Sequence, residues 1–333
     1  MTRCLARAAA AVLLFCLLTP TSAAIAAADK ITVDSPDGTS VLKWKGGKKA
    51  AFYLAFDDGC PTHLTNVIPE LQKRKIVGTF YVIAGRPTFN GNKKWEEAAK
   101  SPYVVFANHT FRHKDFPTLE GFEDEVAQTN KVILRLQPGA KEHRVIAFGK
   151  PGGVKYGITD ADIAGVLAKH DMVNRLPFWT PVIHVKTVDD MHKWVDQGIK
   201  KGEIGHLDFH GVGGDWLVTP VDFYLAILDK LDACKADLWV SDTASVMKYA
   251  AERKAATVKV VENTPTKVRL TLATTLDAKL YDEPLTLATK VPAGWKQAVV
   301  TQGEAKATAP VTDGVAVYDA VPGGPEIVLT GGK

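Results

Sequence analysis

Short apolar runs alternate with amphipathic segments from Lys49 to about Ala250. Ala51–Phe56, Thr79–Ala84, Tyr103–Ala107, Val145–Phe148, Met172–Asn174, Ile204–Phe209 and Leu238–Val240 are short and largely apolar, the pattern of strands buried on both faces. Helical patterns lie between most of them. Thr62–Arg74 begins with a threonine cap and sets Leu64, Val67, Ile68 and Leu71 on one face. Phe122, Val126, Thr129, Ile133 and Leu136 form a helical stripe, and Thr159–Lys169, Thr187–Lys200 and Pro220–Cys234 each open on a start residue. Strand–helix repetition of this kind predicts a parallel sheet with helices outside. Such an α/β fold can be a doubly wound sheet or a barrel, and seven strands suit a somewhat irregular barrel better than an open sheet.

The pattern changes after Ala256. Val258–Val261, Lys267–Thr274, Leu285–Thr289, Ala298–Thr301, Val315–Tyr318 and Glu326–Leu329 are rich in Val, Leu and Thr and separated by Pro, Gly and Asp. They predict a small, sandwich-like all-β module. The chain therefore divides into a leader over 1–28, an α/β domain over 29–255 and a C-terminal β module over 256–333. Within Asp29–Gly47, Val41–Trp44 predicts an edge strand or hairpin on the α/β domain.

The leader is read from its charge pattern. Arg3 and Arg7 precede an 11-residue apolar run, Ala8–Leu18, and small residues at Ala24, Ala26 and Ala28 follow. That is the grammar of a secretory signal peptide, so the mature chain is expected in the periplasm or outside the cell. The run is too short to span a bilayer, which takes ~20 residues. Across the 333 residues, 46% are hydrophobic and 23% charged, which excludes a disordered chain, collagen or a disulfide scaffold. The net charge of +4 shows no basic cluster, which argues against a nucleic-acid partner. Removing the leader leaves Cys60 and Cys234. Cys60 follows a strand's carboxyl end, whereas Cys234 ends a helix running back to the opposite face. Their α-carbons are expected beyond the ~7 Å a disulfide allows.

Candidate chemistry gathers after three strands. Ala51–Phe56 runs into Asp57-Asp58-Gly59, two adjacent carboxylates where parallel folds place active sites. Neighbouring side chains diverge, so one can ligate a metal while the other takes a proton. His109 and His113 follow Tyr103–Ala107, and at i,i+4 on a helical turn both reach one ion. Two imidazoles and one carboxylate leave a coordination position for water. His210 follows Ile204–Phe209 and heads a glycine-rich loop, Gly211–Trp216, that has neither Walker nor Rossmann spacing. A histidine there can protonate a leaving group.

In this order, the three motifs resemble the polysaccharide deacetylase family (carbohydrate esterase family 4, the NodB homology domain). Phe56-Asp57-Asp58-Gly59 is similar to its first motif, Asn108–His113 to its second and Leu207–His210 to its last. Gly78–Val82 matches its second strand, and the resemblance spans about 48–245. It implies a distorted (β/α) barrel that removes acetyl groups from sugars with a divalent metal, usually Zn2+. It further implies that Asp58, His109 and His113 are the metal ligands, that Asp57 is the general base and that His210 is the general acid. The family's Arg-Pro-Pro-Tyr-Gly motif is altered. Aligned on Pro151 and Gly153, its arginine position is Gly149, and the adjacent Lys150 lacks a bidentate fork. Arg175, after the next strand, is the expected substitute beside Asp57. Gly152 takes the place whose backbone N–H faces the oxyanion. Trp216 and Trp179 lie on loops where an indole can stack on a sugar, and His206 shares a strand face with His210.

The expected activity is that of a secreted hydrolase acting on non-peptide carbon–nitrogen bonds, the N-acetyl groups of a polysaccharide or oligosaccharide. An O-acetyl esterase of the xylan type is the same-class alternative. A catalytically inactive carbohydrate-binding relative, or a cyclic-imide or purine-ring hydrolase, is the alternative outside it.

Overall fold

The short strand β1 (Thr39–Val41) leads into β2 (Ala50–Asp57), which is buried along its whole length. The protein is described by a computed structural model that covers residues 31, 33, 35, 37–137, 144–177 and 187–332. Strand β2 joins β3 (Gly78–Val82), β4 (Val104–Asn108), β5 (Ile146–Phe148), β6 (Met172–Asn174), β7 (Ile204–Phe209) and β8 (Leu238–Val240) in one parallel sheet. The order is β6-β5-β4-β3-β2-β7, and β8 pairs with the first residues of β2. The sheet curls into a half-barrel, the distorted (β/α) architecture expected. Because every pairing is parallel, the carboxyl ends of its strands share one rim. Asp57, His109, Gly149, Arg175 and His210 all stand at or just past those ends.

Alternation along β2 decides what each face meets. Phe52, Leu54 and Phe56 point to the helices, where Phe56 stacks on Phe80 at 4.9 Å and Phe209 at 5.2 Å. Helices α1 (Ile68–Arg74), α2 (Lys93–Ala98), α3 (Leu119–Leu136), α4 (Asp160–Lys169), α5 (Val188–Lys201) and α6 (Val221–Ala233) flank the strands in sequence. The threonines before α3, α4 and α5 each accept a backbone N–H from the first turn. On the other face, Ala51, Tyr53, Ala55, Tyr81, Ala107 and Ala147 share a core with Tyr249 of α7 (Thr243–Ala255) and with the C-terminal sheet. Both faces are therefore dry, which is why β2 reads as an unbroken apolar run.

The C-terminal strands are β9 (Ala256–Thr264), β10 (Lys267–Thr274), β11 (Leu285–Lys290), β12 (Gln297–Gln302), β13 (Ala305–Thr312), β14 (Val315–Ala320) and β15 (Ile327–Gly332). With β1 they make an eight-stranded antiparallel sheet, ordered β1-β11-β14-β13-β12-β15-β10-β9. This corrects the expectation for the N-terminal segment: β1 pairs with β11 of the C-terminal sheet and not with the α/β sheet. Lys45 and Glu283 reinforce that join at 2.5 Å. The sequence pattern passed over β13, whose Ala, Lys, Thr and Pro residues are mostly exposed, and α7, whose apolar residues are mostly alanine. The first half of the expected Thr62–Arg74 helix is a π-helical turn, His63–Val67.

Among the described residues no helix is long and apolar enough to cross a membrane. Cys60 and Cys234 are both free thiols. The leader over 1–28 and Trp179 lie outside the described residues.

Candidate metal and catalytic site

The end of β2 separates its two carboxylates. Asp57 keeps the strand's alternation and points to the face of Tyr53 and Ala55. Asp58 adopts a left-handed backbone, φ 71°, followed by Gly59 at φ 60°, so its side chain turns out of the strand's register. Both carboxylates are buried.

His109 follows β4. Its Nδ1 lies 2.7 Å from the Gly149 carbonyl oxygen, which can only accept, so Nδ1 carries the proton and Nε2 keeps its lone pair. Burial pushes His109 down to about 4, which leaves it neutral at pH 7. Nε2 sits 3.5 Å from Asp58 Oδ1, and His113 Nε2 sits 4.0 Å from the same oxygen. The two rings lie 5.1 Å apart. They are not on a helical turn, as the spacing predicts. Thr110 and His113 have positive φ, 63° and 52°. Asn108 Oδ1 accepts the Thr110 N–H, and Thr110 Oγ1 accepts the His113 N–H, which winds the segment into a tight loop.

Asp58, His109 and His113 present three ligand atoms within 4.8 Å of one another. The other oxygen of Asp58, Oδ2, accepts the Trp216 indole N–H at 2.8 Å, whereas Oδ1 is buried with no hydrogen-bond donor. A buried carboxylate oxygen without a donor, facing two imidazole nitrogens, is the donor set a divalent cation completes. The residues present therefore fit a metal.

Asp57 is held by Arg175. Nη1 donates to Oδ1 at 2.6 Å and Nη2 to Oδ2 at 2.8 Å, a bidentate pair. Burial alone would raise the Asp57 pKa, but the Arg175 charge and then His109 outweigh it and hold the carboxyl well below the usual range. The guanidinium lies 4.6 Å over the Tyr81 ring. Its space exists because β5 ends in Gly149: a Cβ there would stand 2.7 Å from Tyr81 Cδ1 and 3.0 Å from Arg175 Cζ. One strand thus vacates the room that the next strand's arginine fills. Lys150 points elsewhere and pairs with Asp160 at 2.7 Å. Gly149→Ala is expected to lose about 1–3 kcal/mol, the usual cost of overpacking. It should also displace Arg175, so the melting temperature should fall. A wild-type melting temperature would contradict the steric coupling.

His210 stands past the end of β7, nearly buried, with its ring edge-on to Trp216 at 5.4 Å. Its carbonyl accepts His63 Nε2–H at 2.6 Å, which ties the strand end to the π-helical turn. The loop after His210 is closed by Gly211 N–H to the Trp216 carbonyl and Thr219 N–H to the Gly211 carbonyl. Gly211 is obligatory, since a Cβ there would lie 1.8 Å from the Gly214 oxygen. This loop presents Trp216, 57% exposed, at the mouth beside Asp58. Gly152 occupies an exposed turn anchored by the Tyr156 hydroxyl on the Pro151 carbonyl, 2.9 Å. No described contact joins Gly152 to the other site residues.

Asp208 is the residue that sequence reading passed over. Its position midway between His206 and His210 on one strand face was the available signal.

Residues 45–172 match the polysaccharide deacetylase family. No curated protein matches the chain by sequence. Among solved structures, a protein from Mycobacterium smegmatis assigned to the polysaccharide deacetylases is 12% identical with a TM-score of 0.51, over 65% of this chain and 94% of its own. The catalytic domain of a peptidoglycan N-acetylglucosamine deacetylase from Eubacterium rectale is 18% identical with a TM-score of 0.43, over 62% and 93%. A CE4 family pseudoenzyme from Bacillus anthracis is 16% identical with a TM-score of 0.42, over 58% of this chain and 63% of its own, less than two thirds of its length. At these identities the first likeness supports the fold. Residues 45–172, which carry Asp57, Asp58, His109 and His113, are therefore of the polysaccharide deacetylase kind.

Proposed function

We propose that the protein is a secreted, metal-dependent carbohydrate deacetylase that hydrolyses N-acetyl groups of a glycan. The observation that carries this reading is the three-donor set of Asp58, His109 and His113 beside a second carboxylate clamped by an arginine. The family match over 45–172 supplies the substrate class. The leader over 1–28 is the support for secretion.

Asp58, His109 and His113 would hold a divalent cation such as Zn2+, which would supply Lewis acidity and lower the pKa of water at the site. Asp57 is the proton acceptor. It is ionised at neutral pH, and the Arg175 fork holds both its oxygens, with Oδ2 4.0 Å from His109 Nε2. The Gly149 carbonyl keeps the His109 ring in the tautomer that leaves Nε2 bare. His210, just past β7, donates a proton to the leaving amine. Trp216 offers an exposed indole face for the sugar ring. The backbone N–H of Gly152, on the turn past β5, is the proposed donor to the oxyanion.

Purified mature protein should release acetate from N-acetylated glycans, lose that activity with a chelator and recover it with divalent metal. A panel spanning N-acetylglucosamine oligomers, peptidoglycan fragments and acetylated xylan would test the reading. Acetate release from xylan alone would replace it with O-acetyl esterase activity. Chelator-resistant release would remove the metal from it.

A further inference from the structure

Beside the Asp57–Arg175 pair lies a second carboxylate, outside the metal donor set. Asp208 Oδ1 accepts from Arg175 Nη1 at 3.3 Å, and its Oδ2 lies 2.8 Å from His206 Nδ1. All of these side chains are buried. Burial by itself would weaken the guanidinium charge, but Asp57 and then Asp208 raise the Arg175 pKa above its ordinary value. The His206 ring stacks on Tyr53 at 5.0 Å. The Tyr53 hydroxyl accepts the Leu176 N–H at 3.1 Å, so the same cluster also holds the backbone just past Arg175.

Arg175 has a particular need of such an anchor. It follows β6, which has only three residues and ends the parallel sheet's order. An arginine side chain has many rotamers, and a short edge strand fixes its own end poorly. Gly149 opens a space there without choosing how the guanidinium fills it. One carboxylate, on Asp57, sets two hydrogen bonds, and a second on another strand removes the remaining freedom to swing.

We propose that Asp208, oriented by His206, is a positioning residue that acts through Arg175 to hold Asp57 in its working geometry. The proposal rests on the deacetylase reading for its activity readout alone. A buried histidine–aspartate pair with a purely structural role would affect stability and leave the chemistry of the remaining folded enzyme unchanged. The positioning role instead lowers kcat and couples to Arg175.

The test is a double-mutant cycle on the metal-loaded enzyme, with kcat, KM, metal content and melting temperature measured for each variant. Asp208→Asn is expected to lower kcat by about 10- to 100-fold, the range for groups that orient a site residue, with KM and metal content unchanged. In an Arg175→Met background the same substitution should cost less than about threefold, because its route to Asp57 is already gone. His206→Ala should lower kcat in the same direction, and His206→Asn, whose amide can replace the Nδ1 donor, should recover part of it. If Asp208→Asn fails to fold, the His206 pair carries the cycle. Multiplicative losses in the two backgrounds, or an unchanged kcat, would overturn the proposal. A readout independent of turnover is the 15N spectrum of the Arg175 guanidinium, whose separate Nη–H signals should broaden in Asp208→Asn. If the wild type releases no acetate from any glycan, the deacetylase reading fails, and unchanged guanidinium signals would still overturn this one.

Discussion

Asp58→Ala is expected to abolish stoichiometric metal binding and, with it, acetate release. Losing an outer-shell partner already costs 10–100-fold in metal affinity, and loss of a direct ligand should exceed that. The stability effect is expected to be small without metal. In the wild type Asp58 Oδ1 is buried with no donor, so the metal-free fold carries an incompletely satisfied carboxylate. Alanine removes that group, but it also loses the Trp216 hydrogen bond and is strained at φ 71°, so the metal-free variant should melt close to the metal-free wild type. Adding metal should raise the wild-type melting temperature, by about 2.7 kcal/mol of stabilisation at a hundredfold excess over Kd. The variant should not respond. Two measurements decide this: bound metal after gel filtration, and melting curves with and without metal. A variant that retains one ion per chain, or one whose melting temperature still rises with metal, would remove Asp58 from the ligand set.

His210→Ala is expected to separate substrates by their leaving group. An amide must leave as an amine, which needs a proton in the transition state. An aryl acetate leaves as a stable phenolate and needs little help. General acid catalysis is typically worth ~10²–10⁴-fold, so the variant should lose about that much on N-acetyl sugar and far less on an aryl acetate. Metal content should not change, because the donor set is complete without His210. Asp57→Asn should damage both substrates, since removing a proton from water is common to both. It would also replace a bidentate ion pair with a neutral amide whose Nδ2 donates and so cannot accept the second Arg175 N–H. Equal losses on the two substrates in His210→Ala would show that the histidine serves something other than the leaving group.

Much of the candidate site was legible before any coordinates because its residues follow strand ends. Asp57-Asp58, His109–His113 and His210 each come directly after an apolar run, and parallel pairing brings such positions to one rim. Local pattern misjudged the shape of the second motif. The i,i+4 spacing of His109 and His113 suggests a helical turn, but Asn108 and Thr110 supply side-chain acceptors that wind a left-handed loop instead. The pair still converges, since the loop places the rings 5.1 Å apart.

The sequence by itself determined the strand–helix alternation, the change to β structure after Ala256 and the positions of the candidate metal donors. Those features are local: each depends on periodicity or on what immediately follows a strand. Only the tertiary structure decided that β1 belongs to the C-terminal sheet, because β-pairing across 250 residues leaves no trace in either segment's pattern. It also decided how Arg175, the partner expected for Asp57, is accommodated. Gly149 and Arg175 lie on neighbouring strands, and only their packing shows that the guanidinium occupies the volume a side chain at 149 would need. Asp208 came to light for the same reason: a carboxylate inside an apolar strand is a local inconsistency until the arginine and histidine that satisfy it are seen in three dimensions.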